Sequence, residues 1–282
     1  MKIAESELFI VGLGLMGGSL ALALKGRFNK ITGFDCDHET VRIAKEQKII
    51  DQAYTTFEEG VESADLICLA APVDTIVEFL ETLKQINTNK REIFLFDIGS
   101  TKVEIIHKMD GLPNNFHAVG THPICGKEKL GLLNADRTLY YGSPFLVTAC
   151  SSTNEELLDV IREIVMVIGA DYKNIEAEFH DQALAIVSHV PYLLSSALVL
   201  STPDAVKEFL GPGFLSASRL AATSPRMMLP VLLSNRENIL ENLEKIVDEL
   251  NLLISLIAEN DVVELGSNLD RVKEIYIKLL SK

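Results

Sequence analysis

The feature that most constrains the fold is a glycine motif near the N-terminus. An apolar run, residues 8–11, leads directly into Gly12, Gly14 and Gly17, which form a G-x-G-x-x-G motif ahead of an apolar helical segment. The first glycine permits a tight turn, the second lets the backbone approach a pyrophosphate, and the third lets the helix pack on the strand. A helix N-terminus also attracts anions through its unpaired N–H groups and dipole. The motif therefore predicts a dinucleotide-binding βα unit.

An acidic residue in the right place strengthens this interpretation. A second predicted strand, residues 30–34, leads into Asp35. A carboxylate there accepts a hydrogen bond from a ribose 2′-hydroxyl and repels a 2′-phosphate, so we expect NAD rather than NADP. A glycine turn without a ligand and a membrane span are the alternatives, and the glycines together with Lys25 favour a buried βα unit. The residues expected to bind the dinucleotide are Gly12, Gly14, Leu15, Met16, Gly17, Asp35, Ala71 and Pro72.

Strand-like and helix-like segments alternate through the first half of the chain. Further strands are predicted at residues 65–71, 92–97, 116–120, 143–149 and 171–175. Alternation with short connections predicts an α/β domain with a doubly wound (Rossmann-like) parallel sheet. Thr153 and Glu156 have the spacing of a capping box, which predicts a helix that begins there and ends at Gly169.

From residue 176 onward only helical patterns remain, so we expect a dinucleotide-binding domain over 1–175 and an all-α domain over 176–282. A long helix over residues 180–200 should be interrupted at Pro191, which lacks an N–H. Ser234 and Glu237 predict a second capping box. The apolar residues behind it alternate steps of four and three, namely Ile239, Leu243, Ile246, Leu250, Leu253 and Ile257.

Helices this apolar need more partners than one small domain supplies, so we expect a homodimer formed through the C-terminal helices. Burial of the same helices within a single chain is the alternative. The chain has 40 acidic and 26 basic residues, a formal charge of −14. Such a charge disfavours nucleic acid and anionic membranes as partners. No segment resembles a targeting sequence, which favours the cytoplasm. The four cysteines lack the spacing of a zinc site, so no metal is expected.

Polar residues that follow predicted strands are candidates for chemistry. Ser100 follows the fourth strand and His122 the fifth, and the carboxyl ends of parallel strands share one edge of the sheet. A neutral imidazole can accept a hydroxyl proton during hydride transfer. The alternatives are a loop histidine that bonds only backbone and, for Ser100, an N-cap of the following helix.

In the helical half, His189 and Arg219 lie among apolar or small residues. We expect Arg219 to be buried and to bind a carboxylate, since its planar fork matches that group. It would supply a positive charge to an anionic substrate that the acidic chain otherwise repels. The alternatives are an ion pair between Arg219 and Glu128, and a hydrogen-bonded core histidine at position 189.

Together these segments resemble the prephenate/arogenate dehydrogenases of tyrosine biosynthesis, over essentially the whole chain. The His-Pro-x-x-Gly-x-Glu-Lys block is the most specific of them. The segments that carry the resemblance are residues 12–19, Asp97-Ile-Gly-Ser-Thr-Lys102, Thr121-His-Pro-Ile-Cys-Gly-Lys-Glu-Lys-x-Gly131, Ser188-His-Val-Pro191, and Gly213-Phe214 ahead of Arg219.

The resemblance implies NAD-dependent oxidative decarboxylation of a small dicarboxylate, prephenate, to 4-hydroxyphenylpyruvate, without a metal. By the same resemblance, His122 takes the proton of the ring C4 hydroxyl, and Ser100 hydrogen-bonds that hydroxyl or the histidine. Tyr192 stands where some members carry a second histidine. The implied substrate-binding residues are Arg219, His189, Tyr192, Gly213 and Glu128, the last paired with Arg219 in a gate.

Three other functions remain open at this point. Arogenate dehydrogenases act on a substrate with an amino group in place of the keto group. The β-hydroxyacid and imine reductases share the two-part architecture but commonly use lysine or asparagine where this chain offers histidine and arginine. A nucleotide-sensing regulatory protein would bind NAD without turnover.

Overall fold

Within residues 1–86, 88, 92–127 and 129–281, which the computed structural model describes, eight strands form one sheet. Its strand order is β3-β2-β1-β4-β5-β6-β7-β8. The strands are β1 (Glu7–Val11), β2 (Lys30–Phe34), β3 (Gln52–Ala53), β4 (Leu66–Leu69), β5 (Ile93–Asp97), β6 (Phe116–Pro123), β7 (Pro144–Ala149) and β8 (Asp171–Asn174).

The sheet is mostly parallel rather than wholly parallel. Strands β1 to β6 run in one direction, whereas β7 pairs antiparallel with β6, with His122 opposite Leu146, and β8 runs parallel to β7. A parallel return usually needs a crossover helix. The connection between β6 and β7 contains only a short 3₁₀ turn, Leu132–Asn134. The doubly wound sheet is therefore confirmed, but the expectation that all strands are parallel is wrong for β7 and β8.

Helices cover both faces of the sheet, as alternation in the sequence predicts. On one face α1 and α6 contribute Leu20, Leu24 and Ile161 to the core, and on the other α4 and α5 contribute Ile76 and Met109. Burial on both faces explains why the central strands are almost entirely apolar. The helices of this part are α1 (Leu15–Leu24), α2 (His38–Glu46), α3 (Phe57–Ser63), α4 (Val73–Leu83), α5 (Val103–Asp110) and α6 (Glu155–Ile168).

The first predicted capping box is wrong in detail. Helix α6 has Asn154 as its N-cap, and the Asn154 side chain accepts the N–H of Leu157 at 2.8 Å. The Thr153 hydroxyl instead donates to the carbonyl of Ala118, on strand β6. The helix ends as predicted at Gly169, whose φ of 70° is left-handed. Strand β3 and helix α3 were not expected, because both are too short to show a clear period.

The helices that follow are α7 (Ala177–Leu184), α8 (Val190–Leu200), α9 (Pro212–Ser218) and α10 (Pro225–Ser234). A π-helical turn, Ala185–His189, joins α7 to α8 immediately before Pro191. The expected interruption is present, but it lies in the turn ahead of Pro191 and takes the form of a wider turn within a continuing helix. By length and composition alone, Ala177–Leu200 is the one described helical stretch able to cross a membrane, and 28% of its most apolar window is buried.

The chain divides into two compact units, Met1–Asn235 and Arg236–Lys282. The boundary expected from sequence, after residue 175, lies inside the first unit, because α7 contacts α5 and α10 contacts α4. The second unit consists of α11 (Arg236–Ala258) and α12 (Val262–Leu280), which contact each other.

The first C-terminal helix, α11, does not begin as the sequence suggests. The second predicted capping box is wrong, since Ser234 is the last residue of α10 and its hydroxyl contacts Thr101 and the carbonyl of Val231. Many large apolar side chains of the second unit are exposed in the single chain, among them Leu250, Ile254, Ile257, Leu269, Val272 and Tyr276.

Candidate active site

The glycine turn lies between β1 and α1, at the point where the strand order reverses direction between β1 and β4. Ligands of doubly wound sheets bind at such switch points. Gly12 has a φ of 95°, and a Cβ there would collide with the carbonyl oxygen of Ala70. Gly14 is the N-cap of α1, and a Cβ at this position would meet no protein atom within 4 Å. The turn is therefore tight on its protein side and open in front of Gly14.

The other expected dinucleotide residues surround this turn. Leu15, Met16 and Gly17 form the first turn of α1. Ala71 and Pro72 follow β4, and Pro72 is the N-cap of α4. These segments leave the carboxyl ends of two neighbouring parallel strands, β1 and β4, which places the starts of both helices at the same edge of the sheet.

Asp35 lies directly after β2 and is tied to the glycine turn. Its Oδ2 accepts the N–H of Leu13 at 2.8 Å, and its Oδ1 accepts the N–H of Asp37 at 2.9 Å. The open space at Gly14, the start of α1 and a carboxylate near the turn together fit a dinucleotide with free ribose hydroxyls.

His122 is the penultimate residue of β6 and contacts a second histidine. Its Nδ1 lies 2.9 Å from Nε2 of His180, and Nδ1 of His180 lies 2.7 Å from Oδ1 of Asp181. His180 and Asp181 are buried, whereas His122 is half-buried. The three side chains thus form a continuous chain of contacts that begins at Asp181, inside the protein, and ends at the carboxyl edge of the sheet.

The imidazole of His122 is held in its neutral form. Burial lowers its pKa well below the usual value, and the nearby His180, Lys102 and His189 lower the pKa further. A neutral imidazole at the end of a strand, with Nδ1 engaged by His180, leaves Nε2 as the nitrogen available to a substrate proton.

The loop that carries Ser100 is fixed by a buried ion pair. Lys102 Nζ pairs with Asp97 Oδ2, and both side chains are fully buried. Asp97 also accepts the N–H of Gly99 at 2.6 Å and the N–H of Thr121 at 3.0 Å. This carboxylate therefore ties the loop after β5 to the residue that precedes His122, and it holds the two segments next to each other.

Ser100 does not cap the following helix, so that alternative is wrong. The N-cap of α5 is Lys102. The carboxylate of Asp181 accepts the N–H of Lys102 at 2.7 Å and the N–H of Val103 at 2.9 Å. Asp181 thus caps the start of α5 from another helix. Ser100 itself is half-buried in the loop between β5 and α5.

Sequence reasoning missed His180 and Asp181 as site residues. The signal that could have found them is a His-Asp pair directly ahead of a long, mostly apolar helical segment, since adjacent buried ionisable groups need partners. Their partners, at Lys102 and His122, are distant in sequence, so no local pattern shows the contact.

His189 is buried in the helical layer and contacts Asn235. The Asn235 Nδ2 lies 3.2 Å from His189 Nδ1 and also donates to the carbonyl of Asp181 at 2.6 Å. Burial lowers the pKa of His189 to about 4, although Asp181 opposes the shift. These contacts agree with a hydrogen-bonded core histidine, and contact with a substrate stays a prediction. Tyr192, one turn further along, is half-buried against the apolar cluster on one face of the sheet.

Arg219 lines a cleft of about 1000 Å³ beside α1. The arginine is exposed in the single chain, so the expectation that it is buried is wrong. The Ser195 hydroxyl holds the neighbouring backbone, since it donates to the carbonyl of Ala217 at 3.0 Å and accepts the N–H of Ala221 at 3.1 Å. Gly213 is exposed in α9, and Glu128 lies outside the described residues.

The cleft carries more positive than negative charge among its described residues. Lys129, Arg137 and Arg219 line it, together with Lys127, which pairs with Asp136 at 2.7 Å. Gly126 also lines it, so the cleft reaches the segment that leaves β6 after His122, although His122 is not among its described lining residues. A small anionic substrate would be attracted to this part of an otherwise acidic chain.

Comparison with known proteins identifies the family. A family model described as prephenate dehydrogenase, nucleotide-binding domain, matches residues 19–174, and one described as prephenate dehydrogenase, dimerization domain, matches residues 176–271. A prephenate dehydrogenase of Lactococcus lactis is 34% identical over 88% of this chain and 71% of its own length.

Two solved structures are also similar to this chain. The prephenate dehydrogenase of A. aeolicus in complex with hydroxyphenyl propionate and NAD+ superimposes with a TM-score of 0.87 at 28% identity, over 99% of this chain and 100% of that one. The arogenate dehydrogenase of Synechocystis has a TM-score of 0.81 at 26% identity, over 97% of this chain and 100% of that one. With both family domains matched in order, an eight-stranded sheet and a helical C-terminal part, the chain belongs to the prephenate dehydrogenase family.

Proposed function

We propose that this chain catalyses the NAD-dependent oxidative decarboxylation of prephenate to 4-hydroxyphenylpyruvate, in the cytoplasm, as a step of tyrosine biosynthesis. The observation that carries the proposal is the neutral imidazole of His122 at the carboxyl edge of the sheet, where the dinucleotide turn also lies. Membership of the family and the NAD+ bound to the A. aeolicus relative support the choice of reaction and cofactor.

The residues that would hold NAD are those of the glycine turn and Asp35. The start of α1 would bind the pyrophosphate in front of Gly14, and the Asp35 carboxylate would accept a ribose hydroxyl. Bound NAD supplies the acceptor for the hydride that leaves the ring C4 of the substrate.

The chain itself handles one proton and two carboxylates. His122 accepts the C4 hydroxyl proton on Nε2 as C4 loses its hydride and becomes a carbonyl carbon. The bond from the ring to its carboxylate then breaks, CO2 leaves, and the electron pair completes the aromatic ring. The resulting phenolate oxygen takes a proton back, so the reaction releases no net proton. Ser100 would hydrogen-bond the same hydroxyl or His122.

Arg219 would bind one carboxylate of this dianion at the cleft, with the neighbouring lysines adding positive charge. His189, Tyr192, Gly213 and Glu128 are proposed to contact the rest of the substrate. Since Tyr192 replaces the second histidine of some family members, the side chain of the substrate would meet a phenol there instead of an imidazole.

Arogenate is the second candidate substrate, because a dehydrogenase of similar structure acts on it. The deciding experiment measures kcat/KM for prephenate, arogenate and 3-hydroxyisobutyrate, each with NAD and with NADP, by following absorbance of the reduced cofactor. We expect the highest value for prephenate with NAD. Preference for arogenate would change the substrate, and turnover of 3-hydroxyisobutyrate alone would overturn the proposed reaction.

We further propose that the functional form is a homodimer, with the C-terminal helices in the interface. The exposed apolar side chains of α11 and α12 and the family's dimerization domain support this arrangement. The same argument explains the sparsely buried helix Ala177–Leu200. Its Asp181, His180 and His189 contact Lys102, His122 and Asn235, respectively, and these polar contacts disfavour a membrane location.

Light scattering tests the dimer directly, since one chain has a mass of 31.1 kDa. We expect twice that mass at micromolar concentration, and dissociation in the double variant Leu250→Glu/Ile254→Glu, which puts charge on an exposed apolar surface. Lys245→Glu on the same helix is the matched control. A single-chain mass for the unchanged protein would refute the dimer.

A further inference from the structure

We propose that His180 and Asp181 are positioning residues that determine which ring nitrogen of His122 carries its proton. The inference deepens the proposed function and rests on it, because it concerns the base of that reaction. It depends on the direction of each hydrogen bond in the chain Asp181–His180–His122.

The direction is set at Asp181. Its Oδ1 accepts the N–H of Lys102 at 2.7 Å and its Oδ2 accepts the N–H of Val103 at 2.9 Å. An ionised carboxylate has only acceptors to offer. The 2.7 Å contact between Oδ1 and His180 Nδ1 therefore requires the proton to lie on Nδ1 of His180.

The next step follows from the charge of His180. Burial lowers the pKa of its imidazole and the nearby Lys102 acts in the same direction, whereas Asp181 and Asp97 oppose the shift. A neutral imidazole with its proton on Nδ1 has a lone pair on Nε2. That Nε2 lies 2.9 Å from His122 Nδ1, so His122 Nδ1 is the donor.

The result is that the lone pair of His122 lies on Nε2, the nitrogen that His180 does not engage. A neutral imidazole in water takes up either tautomer, and only the form with an unprotonated Nε2 can accept a substrate proton from that side. Asp181 has a second task as the cap of α5. A single carboxylate therefore fixes the tautomer of the base and the start of the helix that follows the Ser100 loop.

The experiment reads the tautomer and the rate separately. The protein has six histidines, all of which would be labelled with ¹⁵N. The signals of His122 are identified by their loss in the variant His122→Asn. Ring nitrogen shifts without substrate should show His122 protonated at Nδ1. In His180→Phe, which keeps a ring of similar volume and removes the acceptor, we expect the Nε2–H form to appear.

The same variant should lower kcat for prephenate roughly 10- to 100-fold, with KM and the Kd for NAD within about twofold of the original values. His180→Gln, whose amide oxygen can accept from His122, should recover part of the loss. His117→Phe, on the same strand as His122, is the matched control and should change neither the tautomer of His122 nor kcat.

An Nε2–H tautomer in the unchanged protein would overturn the inference, and that measurement needs no variant to fold. An unchanged tautomer together with an unchanged kcat in folded His180→Phe would overturn it as well. The tautomer is measured without substrate. A protein that fails to oxidise prephenate would therefore refute the proposed function, whereas the ring nitrogen shifts of His122 would still test this inference.

Discussion

The carboxylate of Asp35 accepts the backbone N–H of Leu13 at 2.8 Å, so the acid at the end of β2 is bonded to the glycine turn that follows β1. The residue proposed to recognise the ribose thereby also supports the turn proposed to hold the pyrophosphate. A substitution at Asp35 should consequently change cofactor choice and cofactor affinity together.

We expect the double variant Asp35→Ser/Cys36→Arg to shift the ratio of kcat/KM for NADP over NAD by at least about tenfold toward NADP. The change removes a carboxylate that repels a 2′-phosphate and adds a guanidinium at the exposed position beside it. The value of kcat/KM for NAD should fall as well, because the Leu13 N–H loses its acceptor. Cys36→Arg alone is the control. An unchanged ratio of kcat/KM for NADP over NAD in the double variant would show that Asp35 does not recognise the ribose.

The variant His122→Asn should lower kcat for prephenate by about two to four orders of magnitude, the usual contribution of a general base. Binding of NAD, measured by fluorescence titration, should stay within about twofold, because His122 lies near the end of β6, whereas the glycine turn follows β1.

His117→Asn provides the matched control for His122. His117 lies on the same strand, and its Nδ1 is 3.2 Å from the carbonyl oxygen of Ser152. Its replacement should leave kcat near the original value. Equal losses in the two variants would mean that the strand was disturbed and that no base had been identified.

Much of the first half of the chain could be predicted from the sequence, because each strand there is a short apolar run next to turn residues. The glycine turn, Asp35, His122 and Ser100 all follow from this pattern together with the rule that parallel strands end at one edge. The reversal of β7 was not predictable, since alternation of strands and helices does not show which way a strand runs.

The contacts that join helix α7 to His122 and to the start of α5 could not be predicted in this way. His180 and Asp181 stand on a helix distant in sequence from Lys102 and His122, and only the folded chain brings them together. The exposure of Arg219 was missed for a related reason, because a neighbourhood of small residues indicates burial only when another element packs over it.

Stability should fall in mild acid because of the buried histidines. The pKa of His189 is about 4 in the folded chain and about 6.5 in an unfolded one. The stabilisation is complete above the unfolded value and is lost as the pH falls toward the folded value, because the unfolded state takes up the proton first. From pH 7 to pH 5 this one group should lower the free energy of unfolding by about 2 kcal/mol.

Burial shifts the pKa values of His122 and His180 in the same direction, so both add to this loss. Urea denaturation at the two pH values measures it. Between pH 7 and pH 5, the free energy of unfolding of His189→Gln should change less than that of the unchanged protein. In a control variant, His107→Gln, it should change as much as in the unchanged protein. An equal change in the free energy of unfolding for His189→Gln and the unchanged protein would show that His189 does not cause the loss of stability in acid.

Replacing Arg219 should weaken substrate binding more than catalysis. We expect Arg219→Met to raise KM for prephenate about 10- to 100-fold, which corresponds to one charged hydrogen-bonded contact, with kcat reduced by less than about fivefold. Arg219→Lys should recover only part of the affinity, because an ammonium cannot form the paired bonds of a guanidinium. Arg226→Met, an exposed arginine of α10, is the matched control and should leave KM unchanged. A fall in kcat without a rise in KM would assign Arg219 to the chemical step instead of the carboxylate.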